Sequence, residues 1–397
     1  MSSRGTARLS RRVAFPVAAY AFAVTMLGTT LPTPLYGLYQ GKFGFSQLMI
    51  TVIFATYAVG VIAALLLFGR LSDQIGRRRA LLPGLALSAL SAVAFLLADG
   101  LAPLLLGRVL SGLSAGIFTG TATATLLDLA APERRGRATL VATLANMGGL
   151  GCGPLLAGLV AEWSGSPLHL PFWIDLALLV PAAIGIWAMP ETVERRSAPR
   201  LVPQALHVPV EMRAIFVRAS LAAFAGFAVL GSFTAVAPAF LAEVMGVSSH
   251  AVVGLVVFSV FAASTAGQIS LGTLVPEERA LPIGCSALIA GMALAGLGLA
   301  ASSLPLLEIG GLVAGLGQGL SFRAGLGSVN ASAPSERRAE VASSFFVVAY
   351  VGISIPVVGI GLLTEAAGLR TAGLVFDGVV AALAAVVLVL LARDRTV

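Results

Sequence analysis

The stretch Gly69-Arg70-Leu71-Ser72-Asp73-Gln74-Ile75-Gly76-Arg77-Arg78-Arg79 is a short basic segment between two long apolar runs. The run before it, residues 49–68, and the run after it, residues 80–98, contain no charged residue. A helix of about 20 apolar residues crosses the hydrocarbon core of a bilayer. The segment therefore indicates a connection between two membrane-spanning helices.

The same pattern of apolar runs and short polar connections continues along the chain. Of its 397 residues 58% are hydrophobic and 11% are charged, and the mean hydropathy is +0.96. Soluble domains carry about 25% charged residues, so the composition excludes a soluble enzyme. The sequence predicts an all-α membrane protein of about twelve transmembrane helices, at residues 13–35, 49–68, 80–98, 101–127, 138–161, 171–189, 220–241, 252–274, 281–301, 304–326, 341–363 and 371–391.

The arginines predict the orientation of these helices. Even-numbered connections and the two ends hold almost all of them, whereas the odd-numbered connections hold only Lys42 and Arg370. Basic residues collect on the cytoplasmic side of membrane proteins, so both ends are predicted to be cytoplasmic. The net charge of +7 is thus an orientation signal, and a nucleic-acid partner is not expected. The use of arginine in place of lysine suggests a GC-rich bacterial genome and hence the bacterial inner membrane.

One alignment of the chain with itself places the second half on the first. The shift that lays Glu133-Arg134-Arg135 on Glu336-Arg337-Arg338 also lays Gly158-Leu159 on Gly361-Leu362 and Gly69 on Gly272. The sequence therefore predicts two six-helix halves, residues 1–189 and 219–397, joined by a cytoplasmic linker at 190–218. Because six is even, both halves start on the same side of the membrane, and the repeat is parallel.

The loop between the second and third helices resembles the signature of the major facilitator superfamily. Six residues match the signature: Gly69, Leu71, Asp73, Gly76, Arg77 and Arg78. The resemblance implies a cytoplasmic gate in which Asp73 meets the amino end of the eleventh helix and Arg77 is its charge partner. In the alternative reading the arginines only set the topology. The second-half copy, Gly272-Thr273-Leu274, lacks the acid.

Two further motifs lie inside helices. Arg108, with Gly112 one turn later, is similar to a second superfamily motif; an arginine in hydrocarbon is costly, so it should face a cavity or a partner. The alternative is a structural arginine bonded to helix ends. The run with Gly149, Gly153, Pro154 and Gly158 resembles the motif of the superfamily's antiporters and exporters, and generic close packing of helices is its alternative.

A proton-coupled carrier needs a titratable group within the membrane. The candidates are Asp175, Glu308 and Asp377, all toward the outer ends of their helices, together with Glu243. In this superfamily the first, fourth, seventh and tenth helices line the cavity, so Arg108 and Glu308 are predicted to approach each other across it and to exchange pairing as Glu308 titrates. Gln318 and Gln268 are candidates for polar substrate contacts.

Several classes of chemistry are not expected. The two cysteines lie in apolar runs and the three histidines lie outside them, which argues against a metal site. Lys42 reads Gly-Lys-Phe, so there is no ATP-binding P-loop. Gly112-Leu113-Ser114-Ala115-Gly116 matches a hydrolase pattern but lies inside a predicted helix, without a histidine in any span. Neither a cofactor nor an enzymatic activity is predicted.

The resemblance implies a secondary transporter that works by alternating access between its two halves. The expected function is proton-coupled export of drug-like or metabolite small molecules by a monomer in the lipid bilayer, with a small-molecule substrate and protons as its partners. A proton-linked importer of a sugar or organic anion remains the alternative, and a membrane sensor of the same fold is a third reading.

Overall fold

The structure, a computed structural model, describes residues 9–69, 71–193, 204–270 and 274–393. Twelve helices in these ranges are long and apolar enough to cross a membrane, which confirms the predicted all-α membrane fold. Those of the first half are α1 (Arg11–Phe43), α2 (Gln47–Phe68), α3 (Arg77–Leu96), α4 (Leu101–Leu129), α5 (Pro132–Trp163) and α6 (Leu170–Ala188). Those of the second half are α7 (Val210–Ala235), α8 (His250–Ser270), α9 (Glu277–Ala300), α10 (Leu304–Ser332), α11 (Arg338–Ala367) and α12 (Leu369–Arg393).

Several helices are longer than their apolar runs predict. Hydropathy marks the part of a helix inside hydrocarbon, whereas the backbone continues as helix into polar sequence on either side. The clearest case is α7, predicted from residue 220 and observed from Val210. The last residues of the predicted linker therefore form the first turns of α7, and residues 194–203 of that linker lie outside the described ranges.

The two halves repeat the same packing. In the first half α4 packs against α1, α2 and α3, and in the second α10 packs against α7, α8 and α9. Likewise α1 packs against α5 and α6, as α7 packs against α11 and α12. The equivalence of these pairs follows from the parallel repeat in the sequence, since equivalent helices bury equivalent faces.

The halves meet along two pairs of helices, α5 with α8 and α2 with α11. We call the end of the bundle that holds the α2–α3, α4–α5 and α10–α11 connections the basic end, because most arginines of the connections lie there. The other end holds the connections α1–α2, α5–α6 and α7–α8 and is called the opposite end.

Candidate functional site

A central cavity of about 610 Å³ lies between the two halves. Helices α1, α2, α4 and α5 line one side of it, and α7, α8, α10 and α11 line the other. The lining reaches the basic end, where Glu277 is exposed at the start of α9 and Arg323 and Asn330 lie toward the end of α10. A cavity of this size can enclose a drug-sized molecule.

Close packing between the halves shuts the cavity at the opposite end. Gly158 of α5 lies against the backbone of His250 and Gly254 in α8, so that a Cβ atom at position 158 would overlap the carbonyl oxygen of His250. Gly361 of α11 lies equally close to Thr51 of α2. Small residues let two helix backbones approach closely, and here they bring the two halves together.

A carboxylate also joins the halves at this closed end. Glu162, near the end of α5, accepts a hydrogen bond from the Ser249 hydroxyl at 3.1 Å and from the backbone N–H of Ala251 at 3.3 Å. These donors lie at the amino end of α8, where unpaired N–H groups and the helix dipole favour a negative charge. Glu162 therefore caps a helix of the other half and stabilises the closed arrangement.

Arg108 lines the cavity near its closed end. Its side chain is buried and donates to the backbone carbonyl oxygens of Thr29, at 2.5 Å, and Phe54, at 3.4 Å. The guanidinium carbon lies 4.7 Å from the ring centre of Tyr57 and 5.5 Å from that of Phe54. Carbonyl oxygens and ring faces stabilise the charge without neutralising it. Arg108 thus faces the cavity and also bonds a carbonyl at a helix end. The two roles that the sequence offered as alternatives occur together.

The carbonyl that holds Arg108 is free because α1 is interrupted. Its first segment ends at Thr30, and a turn of 3-10 helix covers Thr33–Leu35. Pro32 and Pro34 have no backbone N–H, so they cannot continue the hydrogen-bond ladder of the helix. The last carbonyls of a helix need partners from elsewhere, and Arg108 donates to one of them.

Helix α5 carries the antiporter-like motif and packs between α1 and α8. Gly149 and Gly153 lie against the backbone of α1, whereas Gly158 lies against α8. Pro154 removes the N–H that would bond the carbonyl of Leu150, and the hydroxyl of Thr30 in α1 donates to that carbonyl instead, at 2.6 Å. A π-helical segment, Leu144–Gly148, directly precedes the motif.

Replacing Thr30 with valine is expected to destabilise the protein by about 1–2 kcal/mol, because valine leaves the partly buried Leu150 carbonyl without its donor. Unfolding by SDS in mixed micelles measures this difference. The control is Thr25→Val: Thr25 is also buried in α1, but its hydroxyl bonds the Ala21 carbonyl within the same helix. Equal losses for the two variants would contradict a special role for Thr30.

The loop signature at the basic end forms a cluster of polar contacts within the first half. Arg77 pairs with Asp73 at 2.5 Å, donates from Nε to Asp128 at 3.0 Å and donates from Nη1 to Ser72 at 2.7 Å. Arg78 makes a separate, exposed hydrogen bond to the carbonyl of Trp187. Within the described residues Asp73 pairs only inside its own half, and its side chain is 59% exposed.

The two glycines of the signature make room for residues of the linker. Gly76 has a φ of +102°, and a Cβ there would overlap the carboxylate of Glu191, which accepts a hydrogen bond from the backbone N–H of Arg77 at 2.7 Å. A Cβ at Gly69 would overlap the side chain of Gln204, whose backbone N–H bonds α2. Leu71 begins the short turn that presents Asp73.

The four candidate acids for proton coupling, Asp175, Glu308, Asp377 and Glu243, lie outside the described lining of the cavity. Asp175 of α6 is buried against Gly28 of α1, where a Cβ would lie 2.8 Å from its Oδ2. Asp377 of α12 is buried against Gly296 of α9. Glu308 is half-buried beside Ser259 of α8. The predicted approach of Arg108 and Glu308 is not observed, because Arg108 instead bonds the carbonyls of Thr29 and Phe54.

Gln318 lies behind the cavity wall and does not face the cavity. It is fully buried, and its Oε1 accepts a 2.5 Å hydrogen bond from Ser264. Gln268 donates weakly to the same hydroxyl, at 3.5 Å, and does line the cavity. The polar contact with the cavity is therefore made by Gln268, and Gln318 supports it through Ser264.

Four residues that make these contacts were not found from sequence: Asp128, Glu162, Glu191 and Gln204. Each is a single polar residue at a helix end or in the linker, where polar residues are ordinary. The one available signal was position, since Asp128 and Glu191 lie at the same end of the bundle as Arg77. Their contacts with Arg77 depend on tertiary packing, which hydropathy does not report.

Comparisons with known proteins agree with this arrangement. The Major Facilitator Superfamily family model matches residues 18–294. A triacylglyceride transporter of Mycolicibacterium smegmatis is 29% identical over 191 residues, 47% of this chain and 33% of that protein. Inner membrane transport protein YajR of Escherichia coli is 28% identical over 174 residues, 43% of this chain and 37% of that protein. The chain thus aligns with a minor part of these curated relatives.

A solved structure extends the likeness to nearly the whole chain. The crystal structure of a bacterial homologue of the human lysosomal transporter Spinster, in an inward-facing and unoccupied conformation, has a TM-score of 0.68. The match covers 99% of each chain at 16% sequence identity, so it shows the fold. Because the family model covers most of the chain and the twelve helices adopt its fold, this protein belongs to the Major Facilitator Superfamily of secondary transporters.

Proposed function

We propose that this protein exports drug-like or metabolite small molecules from the cytoplasm in exchange for protons. The observation that carries the proposal is the central cavity, which reaches the basic end and is shut at the opposite end by contacts between the halves. The arginines of the connections support an orientation with the basic end and both termini in the cytoplasm. The use of arginine in place of lysine supports a bacterial inner membrane. The conformation is then inward-open, ready to take up cargo from inside the cell.

Alternating access requires the contacts at the two ends to form in turn. In the inward-open state Gly158 and Glu162 hold the outer end together, while Asp73 is exposed at the inner end. When the halves rock, we propose that the outer contacts separate and Asp73 reaches the amino end of α11, whose N–H groups favour a carboxylate. The antiporter-like packing of α5 on α1 and α8 supports the export direction.

We propose Asp175 as the proton-carrying acid. It packs on Gly28, the neighbour of Thr29, and the carbonyl of Thr29 accepts the hydrogen bond from Arg108. Charging or neutralising Asp175 would therefore act on α1 directly beside the segment that holds Arg108. Asp377 has no such connection, because its neighbour is Gly296 of α9. Glu308 contacts Ser259 of α8, in the second half.

Inverted vesicles that carry a pH gradient test the proposal. Adding a panel of lipophilic antibiotics and dyes is expected to dissipate the gradient in vesicles that contain the wild-type protein. Asp175→Asn, which fixes the uncharged form, is expected to reduce that rate at least tenfold, whereas the matched variant Asp377→Asn leaves it within about twofold. Glu308→Gln is the third variant measured in the same assay, because Glu308 is also a candidate acid.

Three results would contradict parts of the proposal. Full activity of Asp175→Asn would exclude Asp175 as the coupling acid, and loss of activity in Glu308→Gln alone would move the role to Glu308. A gradient that no compound dissipates in inverted vesicles, combined with uptake driven by protons in right-side-out vesicles, would establish the importer instead.

A further inference from the structure

We propose that the cavity selects amphipathic organic anions, with the acidic group of the cargo at Arg108 and its apolar body along a row of aromatic rings. This inference rests on the proposed transport function and adds the chemical class of the cargo. Three features carry it: the charge of Arg108, the position of that charge in the cavity, and the aromatic and polar groups of the cavity lining.

The charge of Arg108 has no counter-ion in the described part of the protein. Its hydrogen bonds to described residues use two of the five guanidinium N–H groups, both on carbonyl oxygens, and Nε is buried without a partner. The one acid among the described lining residues is Glu277, exposed at the basic end. A buried arginine is costly unless it is paired, and a carboxylate, sulfonate or phosphate of a cargo would supply the missing charge.

The position of Arg108 favours a cargo that enters with its acidic group first. Arg108 follows the outer end of α4, which begins at Leu101, by seven residues, about 10 Å along the helix. The cavity is open at the other end, near Glu277 and Arg323. When the acidic group of a cargo reaches Arg108, the rest of the cargo therefore extends toward the basic end.

A row of aromatic rings leads away from Arg108 into the second half. The guanidinium lies over Tyr57, whose ring centre is 6.3 Å from that of Tyr350. Tyr350 is 5.7 Å from Phe227, which is 5.2 Å from Phe322. All of these side chains line the cavity. Such a row gives a large apolar surface to an aromatic or aliphatic body.

Besides Arg108 and Tyr57, the first half contributes a group of polar, uncharged side chains to the cavity lining. They present the hydroxyl groups of Thr119, Thr123, Thr139 and Thr143 and the amide of Asn146. These groups can bond polar substituents on one side of the cargo while the other side contacts the rings. The cavity as a whole therefore fits a molecule with one acidic end, an apolar face and some polar substituents.

Binding of three matched probes tests this inference without any proton gradient. Dansylglycine, dansylamide and dansylcadaverine share one fluorophore and carry charges of −1, 0 and +1. The full-length protein in phosphatidylcholine nanodiscs is titrated with each probe at pH 7, with empty nanodiscs as the blank. We expect dansylglycine to bind at least tenfold more tightly than dansylcadaverine, with dansylamide between them.

Two variants of Arg108 and one control variant test whether Arg108 causes the preference for the anionic probe. Arg108→Gln is expected to weaken dansylglycine roughly 10- to 100-fold, as for loss of a charge-assisted hydrogen bond, and to leave dansylamide within threefold. Retained binding of dansylamide shows that the variant is folded. Arg108→Lys keeps the charge and is expected to keep the order of the probes. Arg370→Gln is the control outside the cavity lining, where Arg370 donates to the Ser302 hydroxyl, and it is expected to keep the order too.

Equal affinities for the three probes, tighter binding of dansylcadaverine, or an anion preference that survives in Arg108→Gln would overturn the inference. These failures are distinct from failure of the proposed function. Anion-selective binding without proton-linked flux would contradict export and leave the anion site standing. Proton-linked flux of dansylcadaverine with no binding of dansylglycine would contradict the anion site and leave proton-coupled export standing.

Discussion

Replacing Gly158 with leucine is expected to hold the outer end of the transporter open and to reduce transport at least tenfold. A side chain at this position overlaps the backbone of α8, which cannot move without separating the halves. Overpacking of this kind costs about 3 kcal/mol, and a difference of that size changes the ratio of two conformations by roughly 100-fold. Gly158→Ala is expected to give a smaller effect in the same direction.

Labelling from outside intact cells measures the opening. Thr234 is buried and lines the cavity, so a cysteine at this position is shielded from an impermeant maleimide while the outer end is closed. In a background without Cys152 and Cys285, Gly158→Leu is expected to accelerate labelling of that cysteine at least tenfold. Gly148→Leu is the control on the same helix, because no atom lies within 4 Å of a Cβ there. Unchanged labelling in the Gly158 variant would contradict the role of this contact.

Replacing Arg77 with glutamine is expected to lower the free energy of unfolding by about 2–3 kcal/mol. The variant loses charge-assisted hydrogen bonds and leaves two carboxylates, Asp73 and Asp128, without their shared cation. The partial exposure of both acids, 59% and 33%, keeps the cost below that of a fully buried pair. Arg77→Lys is not expected to rescue stability, since one ammonium cannot reproduce the separate contacts of Nε and Nη1.

Unfolding by SDS in mixed micelles measures this loss. The adjacent variant Arg78→Gln removes a single exposed hydrogen bond to Trp187 and is expected to cost less than about 1 kcal/mol. In a double-mutant cycle, Arg77→Gln combined with Asp128→Asn should cost clearly less than the sum of the two single changes. Additive losses would show that Arg77 and Asp128 do not interact.

Much of the fold could be predicted because hydropathy is a local property of the chain. Each of the twelve apolar runs corresponds to a helix, and α2 was placed within two residues at both ends. The start of α7 was missed because its first turns are polar and lie beyond the apolar run. Helix length outside hydrocarbon depends on packing and capping, which leave a weaker trace in the sequence.

The site was less predictable because its contacts join distant parts of the chain. Asp73 and Arg77 lie four positions apart in one loop, and the family resemblance already implied their pairing, whereas Asp128 lies 51 positions from Arg77. The repeat suggested that Glu308 would approach Arg108, but it relates helices and not the directions of side chains. The interruption of α1 leaves the Thr29 carbonyl as one acceptor for Arg108, and the Phe54 carbonyl of α2 is the second.

The unneutralised charge of Arg108 also makes the empty transporter sensitive to membrane voltage. A charge that crosses the whole membrane field gains about 2.3 kcal/mol per 100 mV. In the proposed inward-open state the cavity would connect Arg108 to the cytoplasm, and in an outward-open state it would connect the same charge to the exterior. A potential that is negative inside therefore favours the inward-open empty carrier. An anionic cargo cancels that charge. The membrane voltage would therefore act on the empty carrier as it changes conformation and would have little effect on the loaded carrier.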